Sequence, residues 1–294
     1  MISYYRVAEH NFAVVASKGL MEQLPNYKPF EKPYQAGEPL RFTLTVDDTR
    51  RAELPVLPGW KEVYIDRNED DMPRIEIYRD GADWVLLTAV NKKAPISLQV
   101  SMSEDFSQAL LVLTDDKLRF AIDSALMFLF AFSTAAHNTL LLHASTTVLN
   151  DKAYLFLGKS GTGKSTHSRL WKKAYPDAWL LNDDNPVVRF MNNEVIVYGT
   201  PWSGKTPCYI NKSARVGAFV KLLQAPYNKV HNLRLPEAYA YLMASSSGLK
   251  IVSEMMDSLY GTIVKVLTNV AVYGLECMPN VEAARLCGEA VIQK

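Results

Sequence analysis

The sequence predicts an α/β protein in which a mixed sheet with helices follows a smaller β-rich domain. Short runs that alternate apolar and polar residues dominate residues 1–116, as in antiparallel sheets. From residue 117 onward strand and helix patterns are mixed, and hairpin signals interrupt them. A glycine-rich octapeptide at 158–165 lies between an apolar run and a helical pattern. Together these features favour a mixed sheet over a simple parallel, doubly wound one.

Length and composition describe an ordinary globular chain. Its 294 residues suffice for one large or two ordinary domains, and 48% of them are hydrophobic. The formal net charge of +1 creates no field that would attract nucleic acid or a membrane surface, so we expect neither as a partner. The three cysteines, Cys208, Cys277 and Cys287, have neither disulfide-framework nor zinc-site spacing, which indicates buried thiols in a reducing compartment.

The sequence suggests neither a targeting segment nor a membrane segment. The N-terminus lacks a basic flank followed by an apolar core, so no secretory signal is visible. The apolar segment 120–142 contains polar residues, and its uninterrupted part is too short to span a bilayer. We therefore expect a buried core helix in this segment and a cytoplasmic protein.

Residues 1–116 are expected to form the β-rich N-terminal domain. Asp80-Gly81 separates two apolar runs and is typical of a tight hairpin. None of these residues carries recognisable chemistry, so we interpret the domain as a scaffold or recognition unit. The predicted strands are 41–46, 61–65, 74–78, 84–87, 96–100 and 109–113.

Residues 117–294 are expected to form the second domain, which begins with a linking helix at 117–137. Thr114 and the pair Asp115-Asp116 precede this helix as a cap. A hairpin is predicted across Asn192-Asn193. The predicted strands are 140–148, 153–157, 179–181, 187–190, 195–198, 216–223 and 272–276, and the predicted helices are 165–175, 236–246, 252–268 and a last one from 281.

The octapeptide at 158–165, Gly-Lys-Ser-Gly-Thr-Gly-Lys-Ser, matches in full the phosphate-binding pattern G-x-x-x-x-G-K-[ST]. Its glycines let successive N–H groups surround an anion, and the following helix N-terminus adds partial positive charge. Lys164 would reach the β- and γ-phosphates, and the Ser165 hydroxyl would hold Mg²⁺. A glycine-rich turn without a ligand is the alternative. We expect nucleotide contacts from Gly158, Lys159, Ser160, Gly161, Thr162, Gly163, Lys164, Ser165 and Thr166.

Asp183 and Asp184 are the candidate metal and acid/base residues. Asp-Asp pairs occur four times in the chain, so the pair alone indicates nothing. This pair, however, ends an apolar strand one helix after the phosphate-binding loop, where the end of a strand faces a bound ligand. One carboxylate could bind Mg²⁺ together with Ser165, and the other could accept the proton of an attacking hydroxyl. Which residue has which role stays open, and a helix cap or turn is the alternative.

Three further regions are candidates for contact with the substrate. His143 lies within the predicted strand 140–148, and a lone histidine in an apolar strand is more often a core residue than a catalyst. His167 lies in the first turn after the phosphate-binding loop. The loop 199–205 could fold over a substrate through Trp202, Ser203 and Lys205. Alternatively, it is a surface loop in which Trp202 packs into the core.

Three motifs occur in order at short spacing: Leu142-His-Ala-Ser145, the octapeptide, and Leu181-Asn-Asp-Asp184. The set resembles the C-terminal catalytic domain of HPr kinase/phosphorylase, which is related to the PEP carboxykinases. The resemblance covers roughly residues 138–290 and implies a mixed-sheet P-loop fold that uses ATP and Mg²⁺. It also implies that Lys164 contacts the phosphates, that Ser165 and the Asp183-Asp184 pair provide the metal and acid/base groups, and that His143 lies beside the transferred phosphoryl group.

The sequence departs from that family in two respects. The first 115 residues do not resemble its regulatory domain, and no segment matches the one that handles its protein substrate and phosphorylase activity. PEP carboxykinases are much longer and have additional Arg and Lys ligands that find no match here. Neither HPr as acceptor nor carboxykinase activity is therefore expected.

The leading hypothesis is an ATP- and Mg²⁺-dependent kinase that phosphorylates a hydroxyl of a protein, a peptide or a small molecule. One alternative is a nucleotide-binding module with little turnover, and another is a PEP carboxykinase-like phosphotransferase. Asn at position 183 would be tolerated by a binding module but not by a kinase. The sequence does not identify the acceptor, and it is compatible with a homo-oligomer.

Overall fold

A computed structural model describes residues 1–35, 37–49, 51–65, 73–114, 118–204 and 206–292. The described chain forms two compact units, each built around a large sheet. The first contains Met1–Thr134 and Leu249–Ser253, and the second contains Ala135–Gly248 and Glu254–Lys294. The protein is thus of mixed α/β class.

The first unit contains a mixed sheet of eight strands among the described residues. The strands β3 to β8 overlap all six predicted runs, and β5 and β6 form the hairpin at Asp80-Gly81. The first two strands were not predicted. The elements are β1 (Ile2–Val7), β2 (His10–Val15), β3 (Thr43–Asp47), β4 (Lys61–Ile65), β5 (Arg74–Asp80), β6 (Asp83–Ala89), β7 (Leu98–Met102), β8 (Gln108–Leu113) and α1 (Leu118–Thr134), and the strand order is β1-β2-β3-β8-β7-β6-β5-β4.

Helix α1 packs on the sheet of the first unit. The Phe130 ring lies 5.8 Å from the ring of His10 and 6.4 Å from that of Phe12, both on β2. The helix therefore groups with the first unit, whereas the sequence predicts a linking helix at 117–137 in the second domain. Its expected cap at Asp115-Asp116 lies outside the described residues.

The segment Leu118–His137 is long and apolar enough, by length and composition alone, to cross a bilayer. The sequence predicts a segment too short to span a bilayer because polar residues interrupt its apolar run, whereas all 20 residues together are sufficient in length and composition. Of the most apolar window, 56% is buried inside the protein, a property that core helices share.

The second unit contains a mixed sheet of nine strands among the described residues. Its elements are β9 (Thr139–Leu141), β10 (Ala144–Leu149), β11 (Lys152–Leu157), α2 (Lys164–Ala174), β12 (Trp179–Asp184), β13 (Val187–Met191), β14 (Glu194–Tyr198), β15 (Ser213–Gln224), β16 (Lys229–Asn232), α3 (Leu235–Ser245), α4 (Ser253–Asn269), β17 (Val272–Cys277) and α5 (Val281–Ile292). The strand order is β12-β10-β11-β15-β14-β13-β9, and β17 pairs with both β15 and β16.

The core of the second unit lies between its parallel strands and two helices. β15 pairs in parallel with β11 on one side and with β17 on the other. Phe156, Val220 and Leu275 from these strands are buried together with Trp171 of α2 and Ala284 of α5. This packing fixes the end of β11, from which the glycine-rich loop starts.

At two neighbouring points in this sheet, a two-residue connection joins consecutive strands that have different pairing partners. Only Leu142 and His143 separate β9 from β10, yet β9 pairs with β13 whereas β10 pairs with β11 and β12. Only residues 185–186 separate β12 from β13, and the Leu142 N–H donates to the Pro186 carbonyl at 3.0 Å. The predicted continuous strand at 140–148 is therefore wrong at His143. Because the chain changes its pairing partner there, His143 lies outside the ladders.

Candidate active site

The glycine-rich loop joins buried β11 to α2, as the sequence predicted for its flanking elements. Gly161 and Gly163 have φ values of +78° and +103°, a region that L side chains rarely adopt. Thr162 closes the loop because its N–H and its hydroxyl both donate to the Lys159 carbonyl, at 3.2 and 2.7 Å. The loop therefore has the curled backbone that an anion-binding turn requires.

Lys164 is buried at the start of α2, with 8% of its surface exposed. Its ammonium nitrogen lies 2.9 Å from the Gly158 carbonyl, 3.2 Å from the Lys159 carbonyl and 2.8 Å from His143 Nε2. These three acceptors match the three hydrogens of an ammonium group. Burial lowers the pKa of Lys164, and the negative charge of Asp184 opposes that shift.

His143 connects Lys164 to Asp184. Its Nδ1 lies 3.0 Å from Asp184 Oδ1, while its Nε2 faces the Lys164 ammonium. Because the ammonium can only donate, Nε2 acts as the acceptor, and the ring hydrogen on Nδ1 donates to the carboxylate. A neutral imidazole therefore satisfies both contacts. The structure thus brings three of the four predicted catalytic residues into one hydrogen-bonded chain.

Asp184 is held in a strained backbone conformation. Its φ is +150°, a region that non-glycine residues seldom occupy. Its second carboxylate oxygen accepts a hydrogen bond from Asn185 Nδ2 at 2.9 Å, and its Oδ1 faces His143. The strained backbone and these two contacts fix the direction of the carboxylate.

Asp183 differs from its neighbour because its carboxylate has no hydrogen-bond donor among the described residues. The residue is only 3% exposed, yet no hydrogen bond from the described part of the chain reaches its side chain. Asp183 pairs with Ser145 across the ladder, so both side chains lie on one face of the sheet. On that face the Ser145 hydroxyl lies 2.6 Å from the Ser168 hydroxyl of α2. A nearly buried carboxylate without a donor is suited to a cation.

Mg²⁺ fits the donors on this face. Ser165 is three residues before Ser168 and so lies on the same side of α2. The described residues contain no group of three or more His, Cys, Asp or Glu side chains that could hold a metal by themselves. Mg²⁺ commonly takes one or two protein oxygens and completes its shell with phosphates and water. The Ser165 hydroxyl and the Asp183 carboxylate are oxygen donors of the kind that such a partial set would use.

The loop 199–204 lies against the Asp183-Asp184 pair. Trp202 is 3% exposed, which matches the alternative in which its side chain packs into the core. The Gly204 N–H donates to the Asp183 carbonyl at 2.6 Å. The backbones of Ser203 and Asp184 form an isolated antiparallel β-bridge. A Cβ on Gly204 would lie 3.2 Å from the Cβ of Asp184, so glycine permits this close approach. Lys205 lies outside the described residues.

Asn182 is a positioning residue that the sequence analysis missed. It is fully buried, and its side-chain amide donates to the Thr200 hydroxyl at 3.1 Å and to the Trp202 carbonyl at 3.3 Å. Its side-chain oxygen accepts from the Asn185 N–H at 2.9 Å. The sequence shows that Asn182 precedes two aspartates. It does not show the contact with the loop 199–204, because that loop begins 17 residues later in the chain.

His167 is buried in α2, where it also forms part of the wall of a cavity beside the glycine-rich loop. It accepts a hydrogen bond from the Trp171 indole at 3.1 Å, and its ring packs against Phe156. Burial lowers its pKa to about 4. This histidine is therefore a neutral core residue at neutral pH.

Two cavities adjoin the glycine-rich loop. One of about 430 Å³ is lined by Gly163 and Thr166 and by apolar residues such as Leu222, Met278 and Pro279. The other, of about 530 Å³, is lined by Lys159, Ser160, Lys221 and Tyr241. Gly161, Thr162, Leu222 and Gln224 line both, so the two cavities adjoin each other beside the loop, and only the second contains lysines.

Comparison with known proteins gives little independent information. No family model matches the chain, and no curated protein sequence matches it. Among solved structures, the HPr(Ser) kinase/phosphatase from Coxiella burnetii is similar, with 13% identity, a TM-score of 0.28 and coverage of 52% of this chain and 93% of that chain. At that TM-score the similarity does not support an inference about function.

Proposed function

We propose that this chain is an ATP- and Mg²⁺-dependent kinase that transfers the γ-phosphoryl group to a hydroxyl. The observation that carries the proposal is the chain of contacts from the loop lysine, Lys164, through His143 to Asp184, with both separations at 3.0 Å or less. A glycine-rich turn without a ligand needs no such connection between its lysine and a carboxylate. Phosphoryl transfer needs a cation at the phosphates and a base near the acceptor.

The environment of each aspartate supports a division of roles. In the part of the chain that the structure describes, no donor reaches the Asp183 carboxylate, and the residue lies on the α2 face with Ser145, so with Ser165 it would hold the metal. Asp184 is oriented by His143 and Asn185, so it would act as the base. When bound, Mg²⁺ supplies charge neutralisation across the β- and γ-phosphates.

In the proposed reaction the acceptor oxygen attacks the γ-phosphorus of ATP. The bond between that phosphorus and the bridging oxygen breaks, and its electron pair stays with ADP. Asp184 accepts the hydroxyl proton and later releases it to water. Lys164 and the loop N–H groups stabilise the charge on the transferred group, and His143 keeps the Asp184 carboxylate in place.

The apolar cavity of about 430 Å³ is the proposed site of the nucleoside. It adjoins Gly163 and Thr166, at the α2 end of the loop, whereas His143 and Asp184 mark the reacting end. Apolar side chains from the ends of β15 and β17 line it, as is usual for a pocket that takes a flat base.

Distant kinship with the catalytic domain of HPr kinase/phosphorylase is part of this proposal. It is supported by the order and compact spacing of the three motifs around His143, Lys164 and the Asp183-Asp184 pair. The acceptor need not be the same, because function depends on the site and not on the fold.

The fate of the γ-phosphate tests the proposed activity. Purified protein receives γ-labelled ATP and Mg²⁺, alone and with a cell extract, beside Lys164→Ala and the control Lys152→Ala, which removes an exposed lysine at the start of β11. Label should reach a discrete component with the native protein and the control. Lys164→Ala should reduce the rate by about 100-fold or more.

Asp184→Asn separates a kinase from a binding module. We expect it to abolish transfer while ATP binds with nearly native affinity, because the base acts only in the chemical step. Tight ATP binding by the native protein without transfer or hydrolysis would contradict the kinase and favour a nucleotide-binding module.

A further inference from the structure

Strand β15 presents different chemistry on its two faces near the glycine-rich loop. Val220 and Leu222 lie in the apolar core with Trp171 of α2. Because side chains alternate along a strand, Lys221 points to the opposite face. There its ammonium nitrogen lies 4.9 Å from the centre of the Tyr241 ring on α3. Register places Lys221 beside Leu157, the residue before the loop. Lys221 is therefore a cation outside the glycine-rich motif that lies beside the loop, on the side of the sheet that α3 covers.

Lys221 lies in the basic cavity of about 530 Å³ together with Lys159 of the loop. Within the described residues, neither lysine forms an ion pair with a carboxylate. Burial lowers the pKa of Lys221, and the positive charge of Lys159 lowers it further. Two cations that repel each other across a shared cavity would be stabilised by an anion between them.

Helix α3 connects this cavity to the proposed reacting groups. The backbone N–H of His143 donates to the carbonyl of Ser245, the last residue of α3, at 2.8 Å. Tyr241 precedes Ser245 by four residues, which is about 6 Å along the helix axis. Tyr241, beside Lys221, and Ser245, beside the His143 backbone, are therefore one helical turn apart on α3.

We propose that the basic cavity holds an anionic group of the phosphoryl acceptor, which is then a small hydroxyl compound carrying a phosphomonoester or a carboxylate. This inference rests on the proposed kinase function and names its substrate class. The cavity has the volume of a small-molecule site. Lys159 and Lys221 line this cavity but not the adjoining apolar cavity, so the acceptor anion and the nucleoside would have separate contacts.

Isothermal titration tests the proposal on protein saturated with ADP and Mg²⁺, so that phosphate cannot enter the loop. The probes are glycerol phosphate, succinate and, as the uncharged reference, glycerol. The variants are Lys221→Met, Lys221→Arg and the control Lys229→Met, which removes an exposed lysine on β16. ADP affinity is measured first for each protein.

The expected result is that glycerol phosphate or succinate binds and glycerol does not, and the tighter anion identifies the acceptor group. Lys221→Met should weaken that binding about tenfold or more and change ADP affinity less than twofold. Lys221→Arg and Lys229→Met should bind nearly as the native protein does.

The proposal is overturned if neither anion binds the native protein or if Lys221→Met binds the anions with native affinity. It is also overturned if Lys221→Met lowers the affinity for ADP as much as the affinity for the anion, because Lys221 would then belong to the nucleotide site. Absence of ADP binding to native protein contradicts the kinase instead. In that case the same titration on Lys164→Ala without nucleotide still measures anion binding at Lys221.

Discussion

Asp184 combines a strained backbone with the carboxylate proposed as base. At φ +150° a side chain costs roughly 1–3 kcal/mol, and such strain collects at functional sites. We expect Asp184→Gly to be more stable than Asp184→Ala by about 1 kcal/mol, because both lose the contacts to His143 and Asn185 but only glycine relieves the strain. Urea unfolding with unchanged m values measures the difference. Equal midpoints would show that the backbone is not strained.

His167 should make stability depend on pH. Its pKa is about 4 in the folded protein and about 6.5 when unfolded, so the unfolded chain binds the proton more readily. Its stabilising contribution is complete above pH 6.5 and is lost as the pH falls toward 4. At about 1.36 kcal/mol per pKa unit, the loss is on the order of 3 kcal/mol. Denaturant unfolding at several pH values should show a flatter profile for His167→Gln. An unchanged profile would refute the assignment.

Residue types and spacing predict the motif residues of the candidate site, but they do not predict Lys221 and Tyr241. Lys164, Ser165 and the two aspartates belong to short motifs whose local geometry follows from sequence. Lys221 faces the loop only because β15 pairs beside β11, and Tyr241 comes from a helix far along the chain. Such long-range pairing leaves no local signal.

At the scale of elements, turn chemistry decided which hairpins were predictable. Asn192 and Asn193 have φ values of +50° and +62°, and asparagine in such turns is a recognised signal. Ala8 and Glu9 adopt nearly the same angles, +47° and +62°, between β1 and β2. Because neither residue favours positive φ, no residue type marks that turn, and the sequence does not predict β1 or β2.

The loop that covers the aspartates depends on Gly199. A Cβ there would lie 2.0 Å from the Ile210 carbonyl oxygen, so the backbone must move. Gly199→Ala should destabilise the protein by about 3 kcal/mol. Gly261, inside α4, has open space around its Cβ position, and Gly261→Ala should stabilise by about 1 kcal/mol. Thermal or urea unfolding of both variants checks the contrast, and a Gly199→Ala protein of native stability would contradict it.

At the scale of the whole molecule, nucleotide binding should stabilise one unit specifically. All proposed contacts lie in Ala135–Gly248 and Glu254–Lys294. At 100 times Kd a ligand adds about 2.7 kcal/mol of stability. Hydrogen exchange with ATP and Mg²⁺ should therefore slow in the glycine-rich loop, α2 and β12. We expect no change in β4–β6, and Lys164→Ala serves as the control. Slowing confined to the first unit would contradict the site.

The ammonium of Lys164 has one further consequence for how a nucleotide can enter. An ammonium has three hydrogens, and all three already have acceptors inside the protein: two carbonyls and His143. A phosphate oxygen therefore cannot simply add to this side chain but must compete with an existing partner. The two carbonyls belong to the loop itself, so His143 is the partner that can be exchanged with the least disturbance. Binding of a phosphate to Lys164 would then release His143 Nε2 from its contact with the ammonium.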